Sequence, residues 1–447
     1  MRRSIFRTIS RRLLASGPCS SLASTLPNCI PQIPTMSTRR PLYEHIDDVE
    51  RLDYYRPGGY HPIQIGDRFQ DRYQIVHKLG YGSYSTIWLA RDEQMAKYVA
   101  IKVGTADYGS KEVELLSRIS PSGVENREFG RNLIPLVLGR FNIDGPNGTD
   151  PCFVTAPARC SLADAAQAAD YSPFQLHVAR SLSAQLAMAV VYIHELGYVH
   201  GDLHMGNILL QLPKLDCLST KQLYDEFDPP DPEPVVRVDK QPLTSPSIPT
   251  HVYSPVWLGK PGDEVSLPES RILLADFGTA FCPAEEPRFE SYTPLQSRLP
   301  EVRFEPTESL SEPFLDSWLF GPDDATADQV DALGPMPDEW WEAWEGRSKH
   351  FIGNGKPKEG REVWTFDQRF EDTIQAPRRR KETEGMDKEE RDALFEMVRG
   401  MLVFRPGDRL SASQVLRTEW MRKWAIPEAE KTWGQKLLCN NRSSRNS

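Results

Sequence analysis

Asp202 and Asn207 stand five positions apart in Val199-His200-Gly201-Asp202-Leu203-His204-Met205-Gly206-Asn207-Ile208-Leu209-Leu210, a polar loop between apolar residues. A carboxylate held there can receive the proton of a hydroxyl, and an amide oxygen nearby can hold a hard cation. Asp202 is therefore expected as a general base and Asn207 as a metal ligand. The run Leu273-Leu274-Ala275-Asp276-Phe277-Gly278 offers a second carboxylate directly after an apolar segment, so Asp276 is the other expected oxygen ligand for magnesium. Lys102 ends the apolar stretch Val99-Ala100-Ile101-Lys102, and an inward-facing ammonium has to find an anion. Glu112 is the expected partner, with Glu114 as the alternative. In Leu79-Gly80-Tyr81-Gly82-Ser83-Tyr84-Ser85-Thr86-Ile87, the glycines Gly80 and Gly82 let backbone N–H groups approach phosphates. Each motif alone has a plain structural explanation, a hairpin, a strand lysine or an Asp-containing turn. Together and in this order they describe phosphoryl transfer, which needs phosphates held, a cation placed and a hydroxyl oriented in line.

The elements that must position these residues are partly visible. Segments 73–78, 86–91 and 97–103 read as strands, and 110–119 carries Val113, Leu115, Leu116 and Ile119 at helical spacing. A strand at Cys152-Phe153-Val154 leads into Thr155–Ala158, where the backbone is expected to meet a nucleotide base. From Ser172 the apolar positions Leu176, Ala179, Leu182, Leu186, Ala189, Val190 and Ile193 predict a helix that stops at Gly197. Further helices are expected over 387–404 and 411–424. Residues 213–270, rich in Pro, Asp and Ser, read as an irregular, disordered insertion separating two catalytic pieces.

The 39% apolar fraction supports real cores and argues against wholesale disorder. Residues 1–44 hold seven Arg and one acid, Glu44, so the remainder is more acidic than the net charge of −10. Such a body suits a basic partner and disfavours direct nucleic-acid binding. The seven Cys show no metal or disulfide spacing. The most apolar segment, Leu182–Val199, is interrupted by Ser183, Gln185, His194 and Glu195, so no membrane span is expected. The Arg- and Ser-rich N-terminus has transit-peptide composition, with a basic tail as the other reading.

The glycine-containing loop, the VAIK lysine, HGD…N and DFG resemble the protein-kinase set over roughly residues 70–425. Pro300-Glu301 resembles the end of a kinase activation segment, and Arg409 in Arg405-Pro406-Gly407-Asp408-Arg409 resembles that glutamate's partner. LGYGSYSTIWLA, the leader YRPGGYHPIQIGD, the spacer between Asn207 and Asp276, and TADQVDALGPMPDEWWEAW are similar to the serine/arginine-protein kinases. This resemblance implies an α+β, two-lobe protein-kinase-like fold with a small β-rich N-lobe and a larger, mainly helical C-lobe. The implied layout is a basic tail 1–44, a leader 45–72, an N-lobe 73–157, a C-lobe 158–425 carrying the insertion 213–270, and a tail 426–447. It also implies ATP and Mg2+ as cofactors, with Leu79, Gly80, Gly82, Ile87, Ala100, Lys102, Glu112, Ala156 and Ala158 at the nucleotide. Its further implications are Arg/Ser-rich protein substrates such as splicing factors, a monomer, and a nuclear and cytoplasmic location; the N-terminal composition offers the mitochondrion instead.

Three positions depart from the family pattern. Gly201 replaces the arginine that usually precedes the catalytic aspartate, and His204 replaces a catalytic-loop lysine with a side chain that is mostly neutral at pH 7. HGDLHMGN also resembles aminoglycoside and choline-type kinases, an alternative that Pro300-Glu301 and Arg405–Arg409 oppose. Asp316-Ser317-Trp318 resembles the start of a buried helix, but Pro322-Asp323-Asp324 follows and should stop it, so a helix-length segment is expected to be missing. That loss would leave an impaired, scaffold-like chain as a third reading.

Overall fold

The computed structural model describes residues 41–109, 111–120, 129–169, 174–212, 215–286, 304, 322–353, 355–434 and 437. Strands β1 (Arg68–Phe69), β2 (Tyr73–Gly82), β3 (Ser85–Asp92), β4 (Lys97–Gly104), β5 (Gly139–Gly145) and β6 (Gly148–Thr155) form one antiparallel sheet in the order β1-β2-β3-β4-β6-β5. The two-residue period of β4 sorts its side chains. Val99, Ile101 and Val103 enter the core with Trp88 and Val154, while Lys102 faces the other way. Helix α1 (Lys111–Ile119) packs Val113, Leu116 and Ile119 inward and also buries Glu112. This sheet and helix make the small lobe.

Strand β7 (Ala158–Ser161) opens the larger lobe, followed by helix α2 (Leu176–Glu195), whose apolar residues are buried around much of its circumference at the centre of the main core. It is long and apolar enough to cross a membrane by length and composition, yet most of that surface is covered by this protein. Gly197, at φ +82°, ends it in a Schellman motif: Tyr198 N–H bonds the Ile193 carbonyl at 3.0 Å and Gly197 N–H bonds His194 at 2.9 Å. Strand β8 (Ile208–Gln211) then pairs with β7.

The insertion departs from its expected disorder. Helix α3 (Thr220–Phe227) is opened by a Ser219 capping box, and β9 (Pro232–Pro234) pairs with β10 (His251–Tyr253). Leu215, Leu223 and Leu258 pack with Val76, Leu89 and Tyr98 of the small-lobe sheet, while Tyr224 Oη donates to the Val76 carbonyl at 2.8 Å. Val235, Ile248 and Val252 pack against Val49, Leu52, Tyr55 and Tyr60 of the leader. The proline- and acid-rich composition conceals apolar residues that are buried only because two segments distant in sequence meet.

Strand β11 (Ile272–Leu274) pairs antiparallel with β8 and completes the sheet β11-β8-β7. Beyond it lie α4 (Pro322–Leu333), α5 (Asp338–Ala343), α6 (Lys388–Met401) and α7 (Ile426–Trp433). Pro322 opens a helix instead of stopping one, as its fixed φ and missing N–H suit a first turn. The expected missing segment falls on 305–321, and Pro300-Glu301 likewise lies outside the described residues. Trp340 and Trp344 pack with Ala327, Val330, Phe351 and Phe404, a structural cluster. The boundary expected at 426 is corrected: α7 buries Ile426 and Ala429, and its Trp433 Nε1 donates to Gln185 Oε1 of α2 at 2.9 Å, so it belongs to the larger lobe.

The leader is fastened by a buried ion pair between Glu50 and Lys78 of β2, with the Tyr55 hydroxyl also donating to Glu50. Burial lowers the Lys78 pKa, an effect that Glu50 only partly offsets. Glu50→Ala, which strands the ammonium, should cost about 3–5 kcal/mol in urea melts, whereas Glu50→Leu with Lys78→Met should recover most of that loss. A double variant as unstable as the single one would show that the charges themselves hold the leader.

Burial also lowers His77 to about 4. Between that value and the ordinary 6.5 the unfolded chain binds more protons, so stability is fully present above about 6.5 and falls as pH drops toward about 4, by about 3 kcal/mol. His77→Phe should flatten this acid limb of a melting-temperature profile; an unchanged slope would reassign it to other groups.

Candidate active site

Lys102, Glu112 and Asp276 meet between the sheet and the larger lobe. Lys102 Nζ lies 2.7 Å from Glu112 Oε2 and 2.9 Å from Asp276 Oδ1. Glu112 is the buried carboxylate at the start of α1, and it, not Glu114, meets the lysine. Burial opposes the Lys102 charge, but the two carboxylates outweigh it and raise the pKa above that of an ordinary lysine. For Asp276, burial pushes upward and Lys102 more than compensates, leaving the carboxyl lowered. At Glu112 burial wins and the pKa is raised, since Lys102 offsets it only partly. The trio thus carries a firmly charged cation beside one firmly ionised and one more protonatable carboxyl.

The ladder between β8 and β11 brings the second pair alongside. Leu274 pairs with Ile208, and Ala275 N–H bonds the Asn207 carbonyl at 2.8 Å, so Asp276 follows directly beside Asn207. Asn207 Nδ2 donates to the Asp202 carbonyl at 2.9 Å and to Asp202 Oδ2 at 3.2 Å. That commitment leaves the Asn207 amide oxygen for a cation, while Asp202 Oδ1 is buried without a hydrogen-bond partner among the described residues. Asp276 Oδ2, the Asn207 oxygen and nucleotide phosphates make the all-oxygen set that magnesium prefers, so the residues fit that ion. Asp276 sits at φ +61°, a left-handed conformation uncommon for aspartate and typical of strained functional positions.

His200 is buried, donates Nε2–H to the Ala275 carbonyl at 3.0 Å and packs edge-on against Phe277 at 4.8 Å. Burial lowers its pKa and keeps it neutral, in a supporting place behind Asp276. His204 Nδ1 accepts from Gly206 N–H at 3.0 Å, which places the ring proton on Nε2, 3.6 Å from Asp202 Oδ2. Its one donor therefore faces the carboxylate. Gly201 has φ +78°, and a Cβ there would come within 2.7 Å of the Thr279 carbonyl. No side chain, the family arginine included, fits without moving that backbone.

At the end expected to meet a nucleotide, Gly82 pairs with Ser85, and Gly80 with Ile87, so Gly80 and Gly82 sit on a tight hairpin whose turn is Ser83-Tyr84. Ile87 and Ala100 lie on adjoining strands beside Lys102, which pairs with Ile87. Ala100 pairs with Thr155, so Ala156 and Ala158 leave the sheet at its side, flanking Pro157, which has no N–H to offer. Leu79 packs toward the cluster shared with the insertion. Two residues escaped sequence reasoning: Tyr108, whose ring stacks on Tyr84 at 5.7 Å, and Tyr60, which bonds the hairpin tip. The leader YRPGGYHP was the available signal for Tyr60.

No family model matches the chain. Over 176 residues it is 33% identical to the serine/threonine-protein kinase spk-1 of Caenorhabditis briggsae, covering 38% of this chain and 15% of that kinase. It is 33% identical over 172 residues to SRSF protein kinase 3 of Homo sapiens, covering 37% of this chain and 30% of that protein. A serine/threonine protein kinase of Aspergillus fumigatus is 26% identical over 396 residues, covering 83% of this chain and 90% of that kinase. The chain thus spans 15% to 23% of the three curated relatives first in similarity. A crystal structure described as a kinase domain superposes with a TM-score of 0.53 at 16% identity, covering 81% of this chain, and the fold is that of a kinase domain. The chain thus has the fold of a kinase domain, and over about 38% of its length it is similar in sequence to serine/threonine-protein kinases.

Proposed function

We propose that this chain transfers the γ-phosphoryl group of Mg·ATP to serine hydroxyls in Arg/Ser-rich protein segments. The observation that carries the reading is the convergence of Lys102, Glu112 and Asp276 within 2.9 Å, with Asp202 and Asn207 held beside them by the β8–β11 ladder. In this reading Lys102 holds the nucleotide phosphates, Asn207 and Asp276 supply oxygens to magnesium, and Asp202 Oδ1 accepts the hydroxyl proton. Magnesium, when bound, neutralises charge on the phosphates. The base is oriented by Asn207 Nδ2, which donates to Asp202 Oδ2 at 3.2 Å, while His204 Nε2 stands 3.6 Å from that oxygen, outside hydrogen-bond reach. The acidic body complements a basic substrate, and relatives carry the names serine/threonine-protein kinase and SRSF protein kinase.

The test is radiolabel transfer from ATP by the purified chain to an Arg/Ser peptide, an Ala-substituted peptide, and choline or aminoglycoside acceptors, each with and without EDTA. Magnesium-dependent labelling of the Arg/Ser peptide alone is expected. Labelling of the small alcohols alone would replace the protein-kinase reading, and nucleotide binding without transfer to any acceptor would favour a scaffold.

A further inference from the structure

The hairpin that carries Gly80 and Gly82 is tied down by a residue outside the kinase motifs. Tyr60 of the leader is 3% exposed, and its hydroxyl donates to the Gly82 carbonyl at 2.6 Å and lies 3.2 Å from that of Ser83. Both ends of this tyrosine are fixed. Its ring packs against Tyr55 at 5.5 Å and Tyr54 at 6.0 Å. Its backbone N–H bonds the Tyr54 carbonyl at 3.0 Å, while its carbonyl accepts from Asn147 Nδ2 at 2.6 Å. The same Asn147 amide reaches the Ser247 carbonyl of the insertion at 2.8 Å, and Gly58 N–H bonds the Asn147 carbonyl at 2.8 Å. Burial raises the phenol to about 12, so it stays protonated and remains a donor through neutral pH.

A glycine hairpin alone is a poor phosphate cradle, because its N–H groups have no fixed direction until the backbone is held. We propose that Tyr60 is a positioning residue that fixes the tip of the hairpin for nucleotide phosphates, coupling leader and insertion to phosphate binding. The proposal rests on the phosphotransfer reading for its ligand but not for the tether itself. A phenol bonded to the carbonyls of the tip limits the rotation of the peptide units between Gly82 and Ser85. Only a ligand with phosphates should feel its loss.

Tyr60→Phe keeps the ring packing and removes the hydroxyl, so the variant should fold and melt close to the wild type. Amide exchange at residues 82–85 should quicken about 3–10-fold, and ATP should bind about 3–10-fold more weakly while adenosine is unaffected. Unchanged exchange together with unchanged ATP affinity would overturn the tether, as would equal weakening of ATP and adenosine, which would mark a merely structural residue. If the wild-type chain binds no ATP, the phosphotransfer reading fails by itself; exchange then decides the tether, upheld by faster opening in the variant and overturned by none.

Discussion

Asp202→Asn is expected to lower turnover on an Arg/Ser peptide about 100- to 10,000-fold while leaving ATP affinity unchanged. The size of the loss follows from how the side chain is held. Asn207 Nδ2 donates to Asp202 Oδ2, so an asparagine at 202 keeps its oxygen on that side and turns its NH2 to the position of Oδ1. That atom is the buried acceptor with no partner among the described residues. A donor would thus stand where the hydroxyl proton should be received. Nucleotide affinity is expected to stay because Lys102 and Asp276, proposed to face the phosphates and the metal, do not touch Asp202, and Asn207 Nδ2 keeps an oxygen to donate to at position 202. The check is steady-state kinetics with a parallel nucleotide titration. Turnover comparable to wild type would remove Asp202 from the role of base and leave the loop a structural turn.

Lys102→Met should lower kcat/KM for ATP about 100- to 1,000-fold, since it deletes the cation proposed to hold the nucleotide phosphates. It should also cost stability, which a purely catalytic residue would not. The lysine is shared by Glu112 and Asp276, so its removal leaves two carboxyls facing each other without a counter-charge. Glu112, already raised by burial, escapes by taking up a proton, which limits the loss to about 2–3 kcal/mol. The sign for Asp276 is the ordinary one for a lowered carboxyl: its stabilisation is present above the unfolded carboxylate range and is lost as pH falls through the folded value, so the variant forfeits it at neutral pH. Adding Glu112→Gln to Lys102→Met should restore melting temperature without restoring activity. Failure to restore it would mean the glutamate's charge is not the source of the instability.

The placement of the candidate residues was legible because they stand at loop ends bounded by short apolar strands, where sequence neighbours dictate exposure. Lys102 at the end of VAIK and Asp276 after Leu273-Leu274-Ala275 needed only strand alternation to be picked out. The expected partner Glu112, and not the alternative Glu114, meets Lys102 because of the rotation of α1 on the core, which buries Val113, Leu116 and Ile119 together with Glu112. The ladder placing Asn207 beside Asp276 was not readable, because the intervening insertion hides the pairing of Ile208 with Leu274. The order within that insertion was missed for the same reason: Val235, Ile248 and Val252 have no period of their own, and their burial is a property of contact with Val49, Leu52 and Tyr55. Gly201 was visible as a departure, but its cause, the Thr279 carbonyl at its side, exists only in three dimensions. Pro322 was read by the rule for helix interiors when the rule for first turns applied.

The stretch between Gln211 and Arg271 leaves and returns at a single point, for Gln211 N–H bonds the Arg271 carbonyl at 2.8 Å, while its middle is bonded to the sheet that carries Lys102. A strap rooted next to the base and glued to the roof has a mechanical meaning. Rocking of the roof over the floor has to flex the two roots at Gln211 and Arg271, the same backbone that fixes Asn207 and Asp276. Movement of the sheet over the larger lobe is therefore transmitted first to Asn207 and Asp276, the proposed metal ligands.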